Sequence, residues 1–291
     1  MILQFLTNGL IIGSIYSLVG LGFALVYNTT KIFHIAYAAV YTTSAYIFYF
    51  FYRIINFPLS FSLLIGILSG AILNILIEVL IYKPAYLRKS SPAISLISSI
   101  GCYIVIINLL ALSFGNETKI LSPGIEKSFQ FGNVILTRIQ IVQFFAFILL
   151  FLLYLLSLRK IKFGKLIRAF ANNPDLLSSC GIEILNLRIL IFALSGVFAG
   201  VASCLVALDT GMDLNVGMPI LLVGMVSLII GGVGIFESAV IGGFLIGIIQ
   251  NLVVWKISAR WQDCITFLLL IIFLLFRPQG ILGIRKRTEE I

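Results

Sequence analysis

Nine apolar stretches, most of them close to the ~20 residues that a helix needs to cross the hydrocarbon core of a bilayer, leave this chain few ways to fold. They lie at residues 4–27, 32–52, 58–82, 93–113, 140–158, 188–208, 217–231, 236–254 and 263–276. Their hydrophobicity is continuous rather than alternating, so each reads as a helix and not as a barrel strand. Composition agrees: 60% of the residues are hydrophobic and 11% charged, far from the balance of a soluble domain. The expected fold is all-α, a polytopic transmembrane helical bundle of about eight or nine spans forming one domain over residues 1–291. The lower count applies if two early segments merge. The opening run, MILQFLTNGLIIGSIYSLVGLGFALVY, has no basic leader and is too long for a signal peptide, so it counts as the first span.

Charge sets the expected orientation. Residues 83–92, 159–187 and the tail 277–291, with the turn at 28–31, collect most of the Lys and Arg when placed on one side. The positive-inside bias makes that side, and the C-terminus, cytoplasmic. The formal net charge of +9 therefore belongs to loops rather than to a nucleic-acid surface. The opposite side receives Asp209, Asp213 and residues 114–139, whose Gly, Pro and alternating pattern predict a small hairpin.

Several chemistries lack their residues. Cys102, Cys180, Cys204 and Cys264 are scattered without a CxxC pair, so neither a disulfide framework nor a metal site is expected. No nucleophile–base pair or carboxylate dyad suggests a catalytic residue. The chain has no G-x-x-x-x-G-K-[ST] run, so ATP is expected to be used by a partner, with no cofactor on this chain.

One long stretch, residues 159–188, RKIKFGKLIRAFANNPDLLSSCGIEILNLR, is charged and amphipathic. Leu166, Ile167, Phe170 and Ala171 recur at helical spacing, with Lys165 and Arg168 on other faces. Asn173 caps a second helix that has Pro174 in its first turn. Leu176, Leu177 and Cys180 form a second apolar face, and Gly181 ends it. Such a segment can lie on anionic lipid or form a knob that docks on another protein. The basic residues suit both; the break and the glycine stop favour docking.

Gly164 to Ile182, GKLIRAFANNPDLLSSCGI, resembles the ATPase-coupling loop of branched-chain amino-acid ABC-transporter permeases. Glu78 to Arg88, EVLIYKPAYLR, resembles that family's E-x-x-x-Y-R-P-L-R signature, with Lys83 in place of Arg. Gly231-Gly232-Val233-Gly234 resembles its GGxG segment, and Arg277 to Gly283, RPQGILG, its RPxGLxG ending. Their order and spacing cover nearly the whole chain. The resemblance implies an inner-membrane permease subunit of an ABC importer, with a cytoplasmic helical coupling loop at 159–188. Its partners would be cytoplasmic ATPases, a second permease subunit and an extracytoplasmic solute-binding protein. Gly164, Arg168, Ala169, Asn173, Pro174, Asp175, Gly181 and Ile182 are the residues it assigns to ATPase coupling.

The sequence departs from the family where the latter commonly reads N-F-A-H-G: His34, Tyr37 and Ala38 replace the Asn, His and Gly. A pathway lined by that segment would select a cargo other than leucine, isoleucine and valine. Asn8, His34, Tyr37, Ser98, Ser99, Gly231, Gly232 and Gly234 are the candidate pathway residues, each with a packing alternative: His34 as a hydrogen-bonded interface residue, the glycines as a tight turn. Glu78 is expected to pair near Lys83 and Arg88 at the cytoplasmic end of its span. The pairs Gly9/Gly13, Gly66/Gly70, Gly196/Gly200 and Gly243/Gly247 are expected to let helix backbones approach closely. Two other classes stay open on residues alone. An ion-coupled secondary transporter would need ionisable groups deep in the spans, and a passive channel for a small solute such as urea or an amide would need no ATP.

Overall fold

A computed structural model of the chain describes residues 2–121, 128–132 and 134–283. Eleven helices and one hairpin follow in order: α1 (Ile2–Thr30), α2 (Tyr37–Tyr49), α3 (Leu59–Leu87), α4 (Pro92–Phe114), β1 (Ser128–Phe131), β2 (Val134–Thr137), α5 (Arg138–Lys160), α6 (Lys162–Asn172), α7 (Pro174–Ser179), α8 (Ile184–Thr210), α9 (Gly217–Gly231), α10 (Ser238–Lys256) and α11 (Gln262–Phe276). Seven of the nine expected spans are long and apolar enough to cross a membrane.

The other two are shorter. The expected span 32–52 loses its beginning because α1 runs to Thr30 and Lys31 then adopts a φ of 57°. Its ammonium donates to the Asn28 carbonyl at 2.9 Å. Residues 31–36 stay non-helical, α2 starts only at Tyr37, and a π-helical turn, Phe50–Ile54, extends it. The expected span 217–231 is a 15-residue helix, α9. A second π-helical turn, Glu78–Tyr82, interrupts α3.

The four GxxxG pairs lie at two close helix contacts. Gly9 and Gly13 of α1 face Gly243 and Gly247 of α10, where a Cβ on Gly13 would come 3.0 Å from Phe244 Cα and one on Gly247 2.5 Å from Gly13 Cα. Gly70 of α3 faces Gly196 and Gly200 of α8, while Gly66 packs on Cys204 of α8 and on Phe48 of α2: a Cβ on Gly196 would lie 2.7 Å from Ala71 Cα, and one on Gly200 2.8 Å from Ile67 Cα. Without a hydrophobic drive between helices in lipid, such backbone contact supplies dispersion that bulkier residues would forbid. α1 and α8 are therefore central, with most of their apolar windows buried, whereas α4 and α11 turn most of theirs outward.

The expected hairpin at 114–139 is present. β1 pairs antiparallel with β2, Ser128 opposite Thr137 and Gln130 opposite Ile135. It is fastened to neighbouring ends: Gln4 Nε2 donates to the Ile135 carbonyl at 2.9 Å, and Lys119 pairs its backbone with Met212. We call this the hairpin end of the bundle. The opposite end carries α6, α7 and the turns at 31–36 and 232–237.

Candidate functional site

The stretch expected to meet the ATPase folds as two short helices on the bundle end. Gly164, Ile167 and Phe170 of α6 are buried, while Lys162, Lys165, Arg168 and Asn172 share the exposed face. Gly164 has a strict reason: a Cβ there would collide with the Ser157 carbonyl and Leu158 Cα in the last turn of α5. Asn173 ends α6 and caps α7, its Oδ1 accepting the Asp175 and Leu176 N–H groups at 3.1 Å each. Pro174 takes the first helical position, where its missing N–H costs nothing. Gly181 stops the unit at φ 78°, with nothing within 4 Å of where its Cβ would be. Ala169 and Ile182 are half-buried, Asp175 exposed. The expected second apolar face is corrected: Leu177 points inward, but Leu176 is 65% exposed and Cys180 is also exposed. A six-residue helix anchored by one leucine has room for a single buried position per turn.

Glu78 pairs elsewhere than expected. Its partner is Arg188, in the first turns of α8, through Nε to Oε1 at 2.5 Å and Nη2 to Oε2 at 3.0 Å, with both side chains buried. The guanidinium also lies 4.6 Å over the Tyr86 ring. Lys83 and Arg88 follow Glu78 in sequence, but Arg88 is exposed and Lys83 only half-buried, whereas Arg188 is buried beside Glu78 and brings the planar fork that matches a carboxylate. The one signal for this partner was an arginine at the start of an apolar span; nothing in its neighbourhood pointed 110 residues back.

Next to this pair lies a closed chain of polar side chains. Asn74 Nδ2 donates to the Phe192 carbonyl at 2.8 Å, so its Oδ1 is the acceptor facing His34 Nε2 at 2.7 Å. That fixes the proton on Nε2. Nδ1 then accepts from the Tyr82 hydroxyl at 2.8 Å. Tyr82 and Ser99 share the next bond, 2.7 Å, and Ser99 Oγ accepts Ala36 N–H at 2.8 Å. The network ties the non-helical 31–36 segment to α3, α4 and α8. Asn74 went unremarked in the sequence, although it sits one helical turn before Glu78.

His34, Tyr37 and Ser99 are fully buried. Tyr37 reaches the Ser195 carbonyl at 3.2 Å and packs on Gly22. Ser98 is half-buried on α4. Gly231, Gly232 and Gly234 form the end of α9 and the turn after it, with φ of 123° at Gly232 and 98° at Gly234. Gly234 N–H donates to Asn28 Oδ1 at 3.0 Å, which fastens the turn to α1. The C-terminal RPQGILG segment closes on the same place: Ile281 and Leu282 N–H groups bond the Ile230 and Gly231 carbonyls at 2.8 and 2.9 Å. Two motifs nearly fifty residues apart thus form one joint, where a Cβ on Gly280 would lie 2.5 Å from Gly232 Cα. Arg159 adds an exposed ion pair to Glu237 at 3.6 Å, so the end of α5 touches this joint.

Of the candidate pathway residues, Asn8 lines a cavity. About 320 Å³ in volume, it lies between α1, α5, α8 and α9 near the hairpin end. Its walls include Ile11, Ile12, Ile15, Val206 and Ile220, and its polar groups include Asn8, Gln140, Gln143 and Asp209.

The family model for the permease component of the branched-chain amino acid transport system matches residues 5–274. The chain belongs to that family. It is 29% identical to the high-affinity branched-chain amino acid transport system permease protein BraD of Pseudomonas aeruginosa, over 99% of this chain and 98% of the relative. It is 27% identical to the corresponding permease protein LivH of Escherichia coli, over 99% and 97%. A probable LivH of Methanocaldococcus jannaschii is 28% identical over 96% and 92%. No solved structure matches. The chain is a multi-pass inner-membrane permease component of an ABC transporter, a family that works with an ATPase and a binding protein.

Proposed function

We propose that this permease imports branched-chain or similar aliphatic amino acids, paired with a second permease subunit and driven by ATPases that dock on α6 and α7. The observation that carries the coupling role is the way this knob is held. Gly164 seats it on the end of α5, and Ile167, Phe170 and Leu177 root it in the core that α1 and α8 share, while a basic and polar face stays outward. A push on that face moves the span ends rather than bending a loop. In this reading α6 and α7, Arg277 and the tail after it are cytoplasmic, and the hairpin faces the solute-binding protein. This chain binds no cofactor; ATP is bound and hydrolysed by the partner, and closure of the ATPases favours one of two permease states through differential contact with the knob.

Proteoliposomes holding the complete complex test this. We expect uptake of leucine that requires ATP and the ATPase subunits. Full uptake with the ATPases left out would overturn the reading in favour of a gradient-driven carrier or a channel.

A further inference from the structure

A smaller pocket opens at the coupling end, where the link after α3 turns into α4. About 130 Å³ in volume, it has Tyr82, Tyr86, Ser90, Pro92 and Ser95 among its walls, and Tyr86 is 40% exposed, so the pocket is reached from the protein surface. Backbone sets the turn: Lys89 takes a φ of 50°, and the Lys89 and Ser90 N–H groups bond the Tyr86 and Ala85 carbonyls at 3.0 Å each, the Schellman pattern that closes a helix C-terminus. α4 then begins with Pro92, and Ser91 gives it no side-chain cap. The Ala93 N–H makes no hydrogen bond among the described residues, and the positive end of the helix meets the pocket through Pro92 and Ser95. Ser95 is only 8% exposed. Its hydroxyl makes no hydrogen bond among the described residues, whereas Thr42 and Ser44 in α2 return theirs to the carbonyl four residues back. On so buried a side chain, an unpartnered hydroxyl has only the pocket to face.

We propose that this pocket seats the phosphate of an anionic phospholipid. The Ser95 hydroxyl and the uncapped first turn of α4 are its donors. Arg88 and Lys89, exposed in the link and without an ion pair among the described residues, supply the positive field. Lys31 and Arg188 also reach the pocket, but each already has partners, so neither is assigned a contact. The size fits a headgroup. About 130 Å³ is well below the ~300–1,000 Å³ of sites that enclose a whole small molecule, so the rest of the ligand lies outside. What lies outside is apolar: Ile94 and Ile97 in the first turns of α4 are 50% and 66% exposed, and Leu87 at the end of α3 is 62% exposed. Acyl chains match that surface, and a free phosphate gains nothing from it. Tyr82 belongs to the His34 chain and Arg188 to the Glu78 pair, so an occupied seat braces the end of α3 against α4 and α8. Only the choice of leaflet, the cytoplasmic one, rests on the orientation proposed above.

Native mass spectrometry of the complete complex in detergent tests the seat, with dioleoyl phosphatidylglycerol, dioleoyl phosphatidylcholine or inorganic phosphate added to wild-type, Ser95→Leu and Arg88→Gln/Lys89→Asn permease. We expect the wild type to retain a single phosphatidylglycerol per permease copy, about fivefold more than phosphatidylcholine, and to keep it in excess inorganic phosphate. Ser95→Leu fills the pocket and is expected to lower retention about tenfold. The double variant is expected to lower it about threefold with an unchanged melting temperature before lipid is added. Since it alters exposed side chains alone, it tests the seat even where Ser95→Leu fails to fold. Wild-type retention in the double variant or in folded Ser95→Leu would overturn the seat. So would equal retention of phosphatidylcholine, which would leave an unselective lipid belt. Displacement by inorganic phosphate would overturn the lipid in favour of a free anion. Retention is read without ATP or leucine, so none of these outcomes touches the importer reading, which stands or falls with ATP-driven uptake.

Discussion

At the scale of single residues, the buried Glu78–Arg188 pair and the His34 chain have different sensitivities. Removing one charge of a buried pair leaves the other without compensation, at a cost of ~3–5 kcal/mol, whereas replacing both with apolar groups of similar size is often neutral. We expect Glu78→Gln and Arg188→Met each to lower the melting temperature of the purified permease strongly, and the Glu78→Gln/Arg188→Met double variant to recover a large part of the loss. A double variant as unstable as the sum of the singles would show that the pair is not coupled. Tyr82→Phe tests the other chain, since it leaves His34 Nδ1 and Ser99 each short of one partner. Hydrogen bonds inside membranes average ~0.6 kcal/mol and an orphaned buried group costs ~1–3 kcal/mol, so a loss of about 1 kcal/mol is expected in a denaturation measurement. Asn74 and Arg188 show why such residues are hard to see in sequence. Each is an isolated polar residue in an apolar run, and its meaning comes from a helix far away along the chain.

At the scale of elements, the amphipathic stretch at 159–188 was the most legible part. The cap at Asn173, the proline after it and the stop at Gly181 are local backbone chemistry, and all three sit where the sequence places them. The face of α7 was less legible, because six residues do not establish a period and both Leu176 and Leu177 read as inward. The structure separates two ways of damaging this element. Lys165→Glu with Arg168→Glu changes only exposed groups, so ATPase co-purification is expected to fall while permease yield and melting temperature stay unchanged. Gly164→Leu strikes the α5 backbone and is expected to lower yield as well. Unchanged ATPase co-purification of the Lys165→Glu/Arg168→Glu variant would mean that this exposed face is not a docking surface. The hairpin was also legible from its alternation, whereas the cavity beside it was not. Its walls come from four helices, and no segment carries more than a fraction of its pattern.

At the scale of the whole molecule, the two glycine-to-glycine interfaces, α1 on α10 and α3 on α8, set the spacing of the bundle. The GxxxG pairs predicted close packing, but their pairing with one another follows from tertiary arrangement that spacing alone does not fix. Overpacking an ordinary core costs ~1–3 kcal/mol, and here the obstruction would be backbone that cannot rotate away. Gly200→Leu or Gly247→Leu is therefore expected to abolish the monodisperse peak of the permease in size-exclusion chromatography, while Gly101→Leu, with nothing within 4 Å of its Cβ, is expected to keep it. A monodisperse Gly247→Leu protein with wild-type melting would contradict the packing described.

The joint between the α9 end and the RPQGILG segment has a consequence for biosynthesis. Ribosomes release a chain from its beginning, so the Ile230 and Gly231 carbonyls wait until nearly all of the protein has been made before Ile281 and Leu282 reach them. A product truncated before Arg277 lacks both of these bonds and leaves the glycine joint open, although every apolar helix of the bundle precedes the cut.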